Sequence, residues 1–148
     1  ATYGGDKDDD NSGVLKFVRV EYTGYAFDEE HEANGITFYG VGSGTTVENC
    51  EAYHGSDDGF EFFGGSVNVK NMVVVNCSDD SFDWTEGWNG RGENLVAFQA
   101  PESVLGYDCD CLVEADNNEN NFAATPVSHP VLSNLILVGN GAGKQGIL

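Results

Sequence analysis

Positive charge is scarce in this sequence: six Lys and Arg stand against 25 Asp and Glu, for a formal net charge of −19. A grip on a phosphate backbone needs clustered Lys and Arg, so nucleic acid is excluded as a partner class. An anionic membrane surface would repel the chain for the same reason. Long apolar runs are missing too. A bilayer-crossing helix needs roughly 20 apolar residues in succession, no run approaches that length, and no membrane span is predicted. There are only four cysteines and no CxxC pair, too few for a disulfide scaffold. The opening ATYGGDKDDD lacks the basic-then-apolar pattern of a leader, so either a leader has been removed or the chain is an internal piece. Apolar residues themselves are not scarce: 40% hydrophobic and 11% aromatic content excludes a disordered acidic tail.

What the chain has is glycine and short β-rich runs. Twenty Gly, with Asn, Asp and Ser, punctuate it about every ten residues, and VLKFVRVEY, GITFYG, FEFFGG, VKNMVVVN, NLVAFQ and NLILVG lie between them. No long segment shows the apolar period of a helix, so the chain is predicted to be all-β.

Self-similarity decides the architecture. VENCEAYHGSDDGFEF, from Val47, lies over VKNMVVVNCSDDSFDW, from Val69, at an offset of 22 residues without a gap. Val47 falls on Val69, Asn49 on Asn71, Cys50 on Met72, Ala52 on Val74, Phe60 on Phe82 and Phe62 on Trp84. Upstream, Leu15, Val18 and Val20 fall on Val47, Cys50 and Ala52 at an offset of 32, and Ile36 and Phe38 fall on Phe60 and Phe62 at 24. Downstream, Asn94, Leu95 and Ala97 follow Asn71, Met72 and Val74 at 23, and Asn134-Leu135 repeats the pair once more. A unit of this kind can bury its apolar face only against a neighbouring unit, which makes it one coil of a solenoid. The prediction is a right-handed single-stranded parallel β-helix of about 22–24 residues per coil and five or six coils, one domain over 1–148. An acidic loop at 6–13, an insertion at 27–33 and a long loop excursion at 100–130 interrupt it. Asn49, Asn71 and Asn94 are predicted to stack as an asparagine ladder.

The runs NSGVLKFVRVEYTG, GVGSGTT, DDGFEFFGG and DDSFDWTEGWNG, with the closing TPVSHPVLSNLILVG, resemble a family of bacterial secreted or outer-surface right-handed parallel β-helix proteins. The resemblance implies that fold and an extracellular or outer-surface location, and it implies no catalytic activity. Such proteins carry more sequence upstream, so the chain is expected to be a segment or processed part of a longer protein. Its four cysteines depart from their pattern.

The register also stacks acids: Asp57 over Asp79, Asp58 over Asp80 and Glu61 over Asp83, with Asn34 and Thr37 as neutral equivalents one coil earlier. Carboxylates about 5 Å apart repel by roughly 1 kcal/mol in water and by more when partly buried. A bound cation, a shared proton or side chains splayed into solvent would each offset that. Ca²⁺ is the expected cofactor, because it favours many oxygen ligands. Three segments offer them. Asp6, Asp8, Asp10 and Ser12 before Gly13 copy the first half of a calcium loop, although Arg19 stands where the closing acid belongs. The stacked Asp57, Asp58, Asp79, Asp80 and Asp83 form the second, and Glu114, Asp116, Asn117, Asn118 and Glu119 the third.

An enzyme reading starts from the same stacked acids, with His54 and Arg91 nearby in sequence. Paired carboxylates serve as general acid and base in glycoside hydrolysis, or hold Ca²⁺ against an acidic sugar in lyases. A lyase also needs a basic residue to take the substrate carboxylate or abstract a proton, and this chain is nearly without one. The expected function is therefore a non-enzymatic extracellular or cell-surface module, structural, adhesive or filament-forming and calcium-stabilised. End-to-end self-association is expected of it, since open solenoid ends are unpaired edges. The alternative is a carbohydrate-active or carbohydrate-binding β-helix with a polysaccharide partner.

The remaining polar and aromatic residues are less informative. His31 is either a transition-metal ligand or simply exposed, and His54 aligns with Tyr22 and Asn76 at a turn, which suits a structural role. Cys50 shares a core stack with Met72, whereas Cys77 could pair with one of Cys109 and Cys111. Tyr25, Tyr39, Phe63, Trp88 and Tyr107 fall outside the stacks and form either a sugar-binding surface or loop packing.

Overall fold

The apolar stacks of the sequence become rows of paired strands. The computed structural model describes residues 3–25, 33–141 and 146–147. Among these, the strands in chain order are β1 (Val14–Lys16), β2 (Arg19–Glu21), β3 (Ile36–Tyr39), β4 (Thr46–Tyr53), β5 (Phe60–Phe63), β6 (Asn68–Val75), β7 (Phe82–Thr85), β8 (Arg91–Phe98), β9 (Val113–Ala115) and β10 (Val131–Val138). One short helix, α1 (Glu102–Leu105), precedes β9. No helix among the described residues is long and apolar enough to cross a membrane.

All strand pairs are parallel. One sheet holds β1 and β2, then β4, β6, β8 and β10, and the second holds β3, β5, β7 and β9. The chain alternates between the two sheets, so each coil adds one rung to each, as a parallel β-helix requires. The predicted register is the observed one: Leu15 pairs with Val47, Val20 with Ala52, Cys50 with Met72, Met72 with Leu95, and Val74 with Ala97. Ile36, Phe60 and Phe82 form one column of the second sheet, and Phe38, Phe62 and Trp84 another. The inward positions of these columns make the core. Phe38 and Phe62 stack with ring centroids 5.0 Å apart, and Trp88 lies on Phe62 at 4.0 Å. Trp88 is 1% exposed and its Nε1 donates to the Val67 carbonyl at 3.1 Å, so it fills the core instead of offering a surface to sugars.

Two columns of left-handed residues bend the coils. Asn49, Asn71, Asn94 and Asn134 have φ of 57, 56, 59 and 56°, a region asparagine tolerates better than most residues. Their amides form the expected ladder: Asn71 Nδ2 donates to Asn49 Oδ1 (2.8 Å), Asn94 to Asn71 (2.7 Å) and Asn134 to Asn94 (3.0 Å). Phe17 makes the same bend in the first coil at φ 55° without an amide. The second column is Tyr22, His54 and Asn76, with φ of 54, 52 and 55°. Asn76 Oδ1 accepts the Ala100 N–H (2.8 Å), which turns its Nδ2 toward His54 Nε2 (3.1 Å). The Tyr107 hydroxyl donates to the Asn76 carbonyl (2.7 Å), so His54 Nδ1–H donates to Tyr107 (2.8 Å). His54 Nδ1 is thus spent on Tyr107 in the segment after β8, and Nε2 on the Asn76 amide whose oxygen holds Ala100 of that segment.

Insertions lengthen two coils. Segment 100–130 contains α1 and also β9, which pairs with β7 as a further rung, so the expected loop excursion is interrupted by solenoid structure. Residues 27–32 of the expected insertion, His31 included, lie outside the described residues. Cys50, Cys77, Cys109 and Cys111 are buried free thiols, so neither of the pairings open to Cys77 is formed. Burial pushes the Cys77 and Cys109 thiols up to about 11.

Candidate metal centre

The outward face of β5, β7 and β9 places one carboxylate per coil in a column. Glu61 pairs with Asp83 and Asp83 with Glu114, while Thr37 holds the position one coil earlier. The turns that feed these strands add Asp58 and Asp80, 7% and 3% exposed. Gly59 explains why the first of these turns can press inward: a Cβ there would lie 2.5 Å from Val74 Cγ1 and 2.6 Å from the Ser81 carbonyl oxygen. Asp58 Oδ1 accepts the Asp80 backbone N–H (3.0 Å), and Asp80 Oδ1 accepts that of Cys111 (2.7 Å). Each aspartate therefore ties its coil to the main chain of the next.

Ligand oxygens gather in three overlapping sets, each with its atoms within 4.8 Å of one another: Asp57, Asp58 and Asp79; Asp58, Glu61 and Asp83; Asp80, Asp83 and Glu114. Shared Asp58 and Asp83 make them one continuous acid patch.

Burial sets the electrostatics of that patch. It pushes Asp58 from 3.8 up to about 10, reinforced by the charges of Asp83 and Glu61. Asp80 rises to about 9, through burial and then its hydrogen bond with Glu114. Asp83 rises to about 8, through burial and then the charges of Glu61 and Glu114. Burial lifts Glu61 to about 7, opposed by the hydrogen bond that Asn34 donates to it. Carboxyl–carboxyl hydrogen bonds join Glu61 to Asp83 and Asp80 to Glu114, and each needs a proton. A cation can take the place of those protons.

Among the described residues, the cationic side chains of the strands lie elsewhere. Lys16 pairs with Glu48 (3.0 Å), Arg19 with Glu51 (3.4 Å) and Lys70 with Glu93 (3.0 Å), all on the first sheet. Arg91 starts β8 on that same sheet and lines a groove with Glu48, Lys70 and Glu93. Its nearness to the acids is in sequence only. The patch is thus all-oxygen and hard, a donor set that fits Ca²⁺ or Mg²⁺ better than a thiophilic metal. A further group, Asp80, Asp110 and Cys111, fits less well, because burial pushes the Cys111 thiol up to about 12 and keeps it protonated.

Of the acids singled out in the sequence, Asp57, Asp58, Asp79, Asp80 and Asp83 come together. Asp6, Asp8 and Asp10 lie exposed in the N-terminal arm. There Asp10 meets Lys7 at 3.9 Å, and the Asp8 carbonyl accepts the Ser43 N–H (2.8 Å). Asp116 is also exposed, and its N–H donates to the Trp84 carbonyl (2.9 Å). The asparagines beyond it build their own loop, with Asn118 Oδ1 accepting the N–H groups of Asn120 and Asn121. None of these joins a carboxylate set among the described residues. Glu114 is the ligand candidate that only the fold places in the column, because 31 residues separate Phe82 from its partner Val113.

Beside the acids, on the same outward face, Tyr39 stacks on Phe63 with centroids 4.9 Å apart and planes within 8°, and Tyr3 leans on Tyr39 at 5.1 Å. Neither the curated proteins nor the solved structures include a significant match to the chain. A family model described as a pectate-lyase-like beta helix domain does match, over residues 1–147, in keeping with the parallel coils of this molecule. By that near-complete match the chain belongs to the pectate-lyase-like beta helix domain family.

Proposed function

We propose that the chain is a non-enzymatic structural module of an extracellular or cell surface, its coils tied together by calcium on the acid face. The observation that carries this reading is the set Asp58, Glu61 and Asp83, one buried and two half-buried carboxylates within 4.8 Å of one another, with no ion pair to Lys or Arg among the described residues. Such a set is unfavourable when ionised and bare. Ca²⁺ supplies the missing charge and takes six to eight oxygens, which neighbouring carbonyls and water can complete. The non-catalytic part of the reading is supported by the same separation: Arg91 lies on the other sheet, and His54 is held on both nitrogens.

Thermal unfolding with EDTA and with added CaCl₂ at pH 8 tests it. Calcium at about 100 times its dissociation constant adds about 2.7 kcal/mol, a rise of roughly 5–10 °C in Tm for a chain of this size. A midpoint that ignores both additions overturns the calcium assignment.

A second reading is favoured by the Tyr39–Phe63 stack beside the acids and by the family's likeness to pectate lyases: the face holds an acidic sugar through calcium and ring stacking. Acidic oligosaccharides on a glycan array, paired with a reducing-sugar assay, separate the two. The structural module shows neither binding nor turnover.

A further inference from the structure

We propose that His54 is an acid-operated latch: its neutral ring holds the segment from Ala100 to Cys109 against the solenoid, and a proton on the ring releases that segment. The inference goes beyond the structural-module reading and needs no cation, so the calcium melt and the test below can fail independently.

The segment has little buried surface to hold it. α1, its middle, buries none of its residues, and a helix of one turn has no stability of its own in water. An element with so few buried contacts opens locally at low cost unless its ends are tied. Both ends are tied to one residue. The Ala100 N–H donates to Asn76 Oδ1 (2.8 Å), and the Tyr107 hydroxyl donates to the Asn76 carbonyl (2.7 Å). Beyond Cys109 the chain rejoins the coils, where Asp110 donates to the Asp79 carbonyl and Cys111 to Asp80 Oδ1.

His54 completes this arrangement in one protonation state only. With Oδ1 given to Ala100, the Asn76 amide presents Nδ2 to His54 Nε2 (3.1 Å), which must therefore accept. With its proton given to Asn76, the Tyr107 oxygen takes the hydrogen of His54 Nδ1 (2.8 Å). The neutral ring protonated at Nδ1 satisfies both partners. A second proton, at Nε2, points at the hydrogens of Asn76 Nδ2. If the amide flips in response, Nδ2 meets the Ala100 N–H and that tie is lost. If the ring swings away instead, Tyr107 loses its donor. Each response weakens one end of the segment.

The groups around the ring leave the imidazole as the one that titrates. Tyr22, after β2, and Tyr53 of β4 have ring centroids 5.9 and 4.3 Å from it, and Tyr107 lies at 6.2 Å. Phenols ionise only near pH 10. Burial pushes Tyr107 up to about 12, and the neighbouring Cys77 and Cys109 thiols up to about 11. Arg19 sits over the Tyr53 ring at 4.3 Å and is paired with Glu21 and Glu51. Asp108 accepts from the Cys109 N–H (3.0 Å) and from Asn140 (3.2 Å), and Asp57, on the same turn as His54, belongs to the acid patch. No ion pair joins His54 to a carboxylate among the described residues. Histidine ordinarily changes charge between pH 5 and 8. The acid patch responds with the opposite sign, since protons on Glu61 and Asp83 steady the metal-free fold as pH falls. Loosening on acidification is therefore the mark of His54.

Two buried thiols read the latch. Cys109 rides on the segment, whereas Cys50 lies in the core column with Met72. Labelling the full chain in EDTA with a dipyridyl disulfide at pH 7.5 and pH 5 tests the proposal, with each cysteine followed by peptide mass spectrometry and each rate divided by that of the unfolded chain at the same pH. Cys109 is expected to react about five to ten times faster at pH 5, the effect of losing one net hydrogen bond, while Cys50 stays protected. His54→Asn suits the left-handed bend and takes no charge, so its Cys109 rate is expected to be raised and the same at both pH values. Tyr107→Phe unties one end without touching the histidine, and is expected to raise the pH 7.5 rate to the acid level of the wild type. That variant keeps the test open should His54→Asn fail to show its strand signal by circular dichroism. A wild-type Cys109 rate that ignores pH overturns the proposal, as does a pH response that survives in His54→Asn or a wild-type rate in Tyr107→Phe. Cys50 reacting in step with Cys109 also overturns it, because the whole fold would then be opening.

Discussion

Asp83 belongs to two of the ligand sets and shares a hydrogen bond with Glu61, so its charge affects the whole acid face. In the folded chain Glu61, Asp83, Asp80 and Asp58 hold their protons up to about 7, 8, 9 and 10, against ordinary values of 3.8 to 4.5. Between those ranges the folded state binds more protons than the unfolded one. Without metal, stability is therefore fully present below about pH 4 as far as these groups are concerned, and is lost as pH rises through 7 to 10. Asp83→Asn removes one charge at nearly constant shape. In EDTA it should flatten the fall in Tm between pH 5 and pH 9 and raise the pH 8 midpoint, while abolishing the response to calcium. A variant that follows the wild-type pH curve would contradict the assignment. At this scale sequence reading had limits of a definite kind. Trp88 sits in a turn, where neither period shows which way a side chain points, and Arg91 lies eight residues after Asp83 but across a turn onto the other sheet.

The long strands of the first sheet stand on their asparagines. Asn71 donates to Asn49 and accepts from Asn94, and it does so at φ 56°. Asn71→Ala removes both bonds and places a Cβ in a conformation that costs about 1–2 kcal/mol, for a total loss of roughly 2–4 kcal/mol in guanidinium unfolding. Asn71→Gly loses the amide but keeps the bend, and should cost about 1 kcal/mol less. Equal effects for Ala and Gly would show that the bend carries no strain. The ladder, the core columns and their register were legible because equivalent residues recur at a nearly fixed interval, and the stack needs the same residue type at each step. β9 was not. Its coil is stretched to 31 residues by α1 and the turn through Cys111, and three residues, Val113–Ala115, are too few to announce a strand. With β9 went Glu114, so the acid column read from the sequence was one member short.

Each coil of the molecule touches mainly the coils on either side, which makes the coils exchangeable parts. Val47 and Val69 occupy the same station in successive coils, so deleting residues 47–68 joins Thr46 to Val69 without disturbing the column above or below. The shortened chain should fold cooperatively, with a shorter solenoid by about 4.8 Å in small-angle scattering and a lower Tm. Having lost Asp57, Asp58 and Glu61, it should also lose most of its calcium response. An unfolded product would mean that long-range order, not neighbour contact, holds the solenoid together.

The coil spacing has one more consequence for the column Glu61, Asp83, Glu114. Successive rungs stand about 4.8 Å apart, closer than the roughly 7 Å at which two unit charges in water interact by RT. Once ionised, a row that dense is a short polyelectrolyte, and it gathers a diffuse atmosphere of small cations along its length whatever occupies the ligand sets. Sodium then relieves the repulsion that opposes folding and would compete with the proposed calcium for the same face, so added salt is expected to steady the protein while weakening any response to calcium.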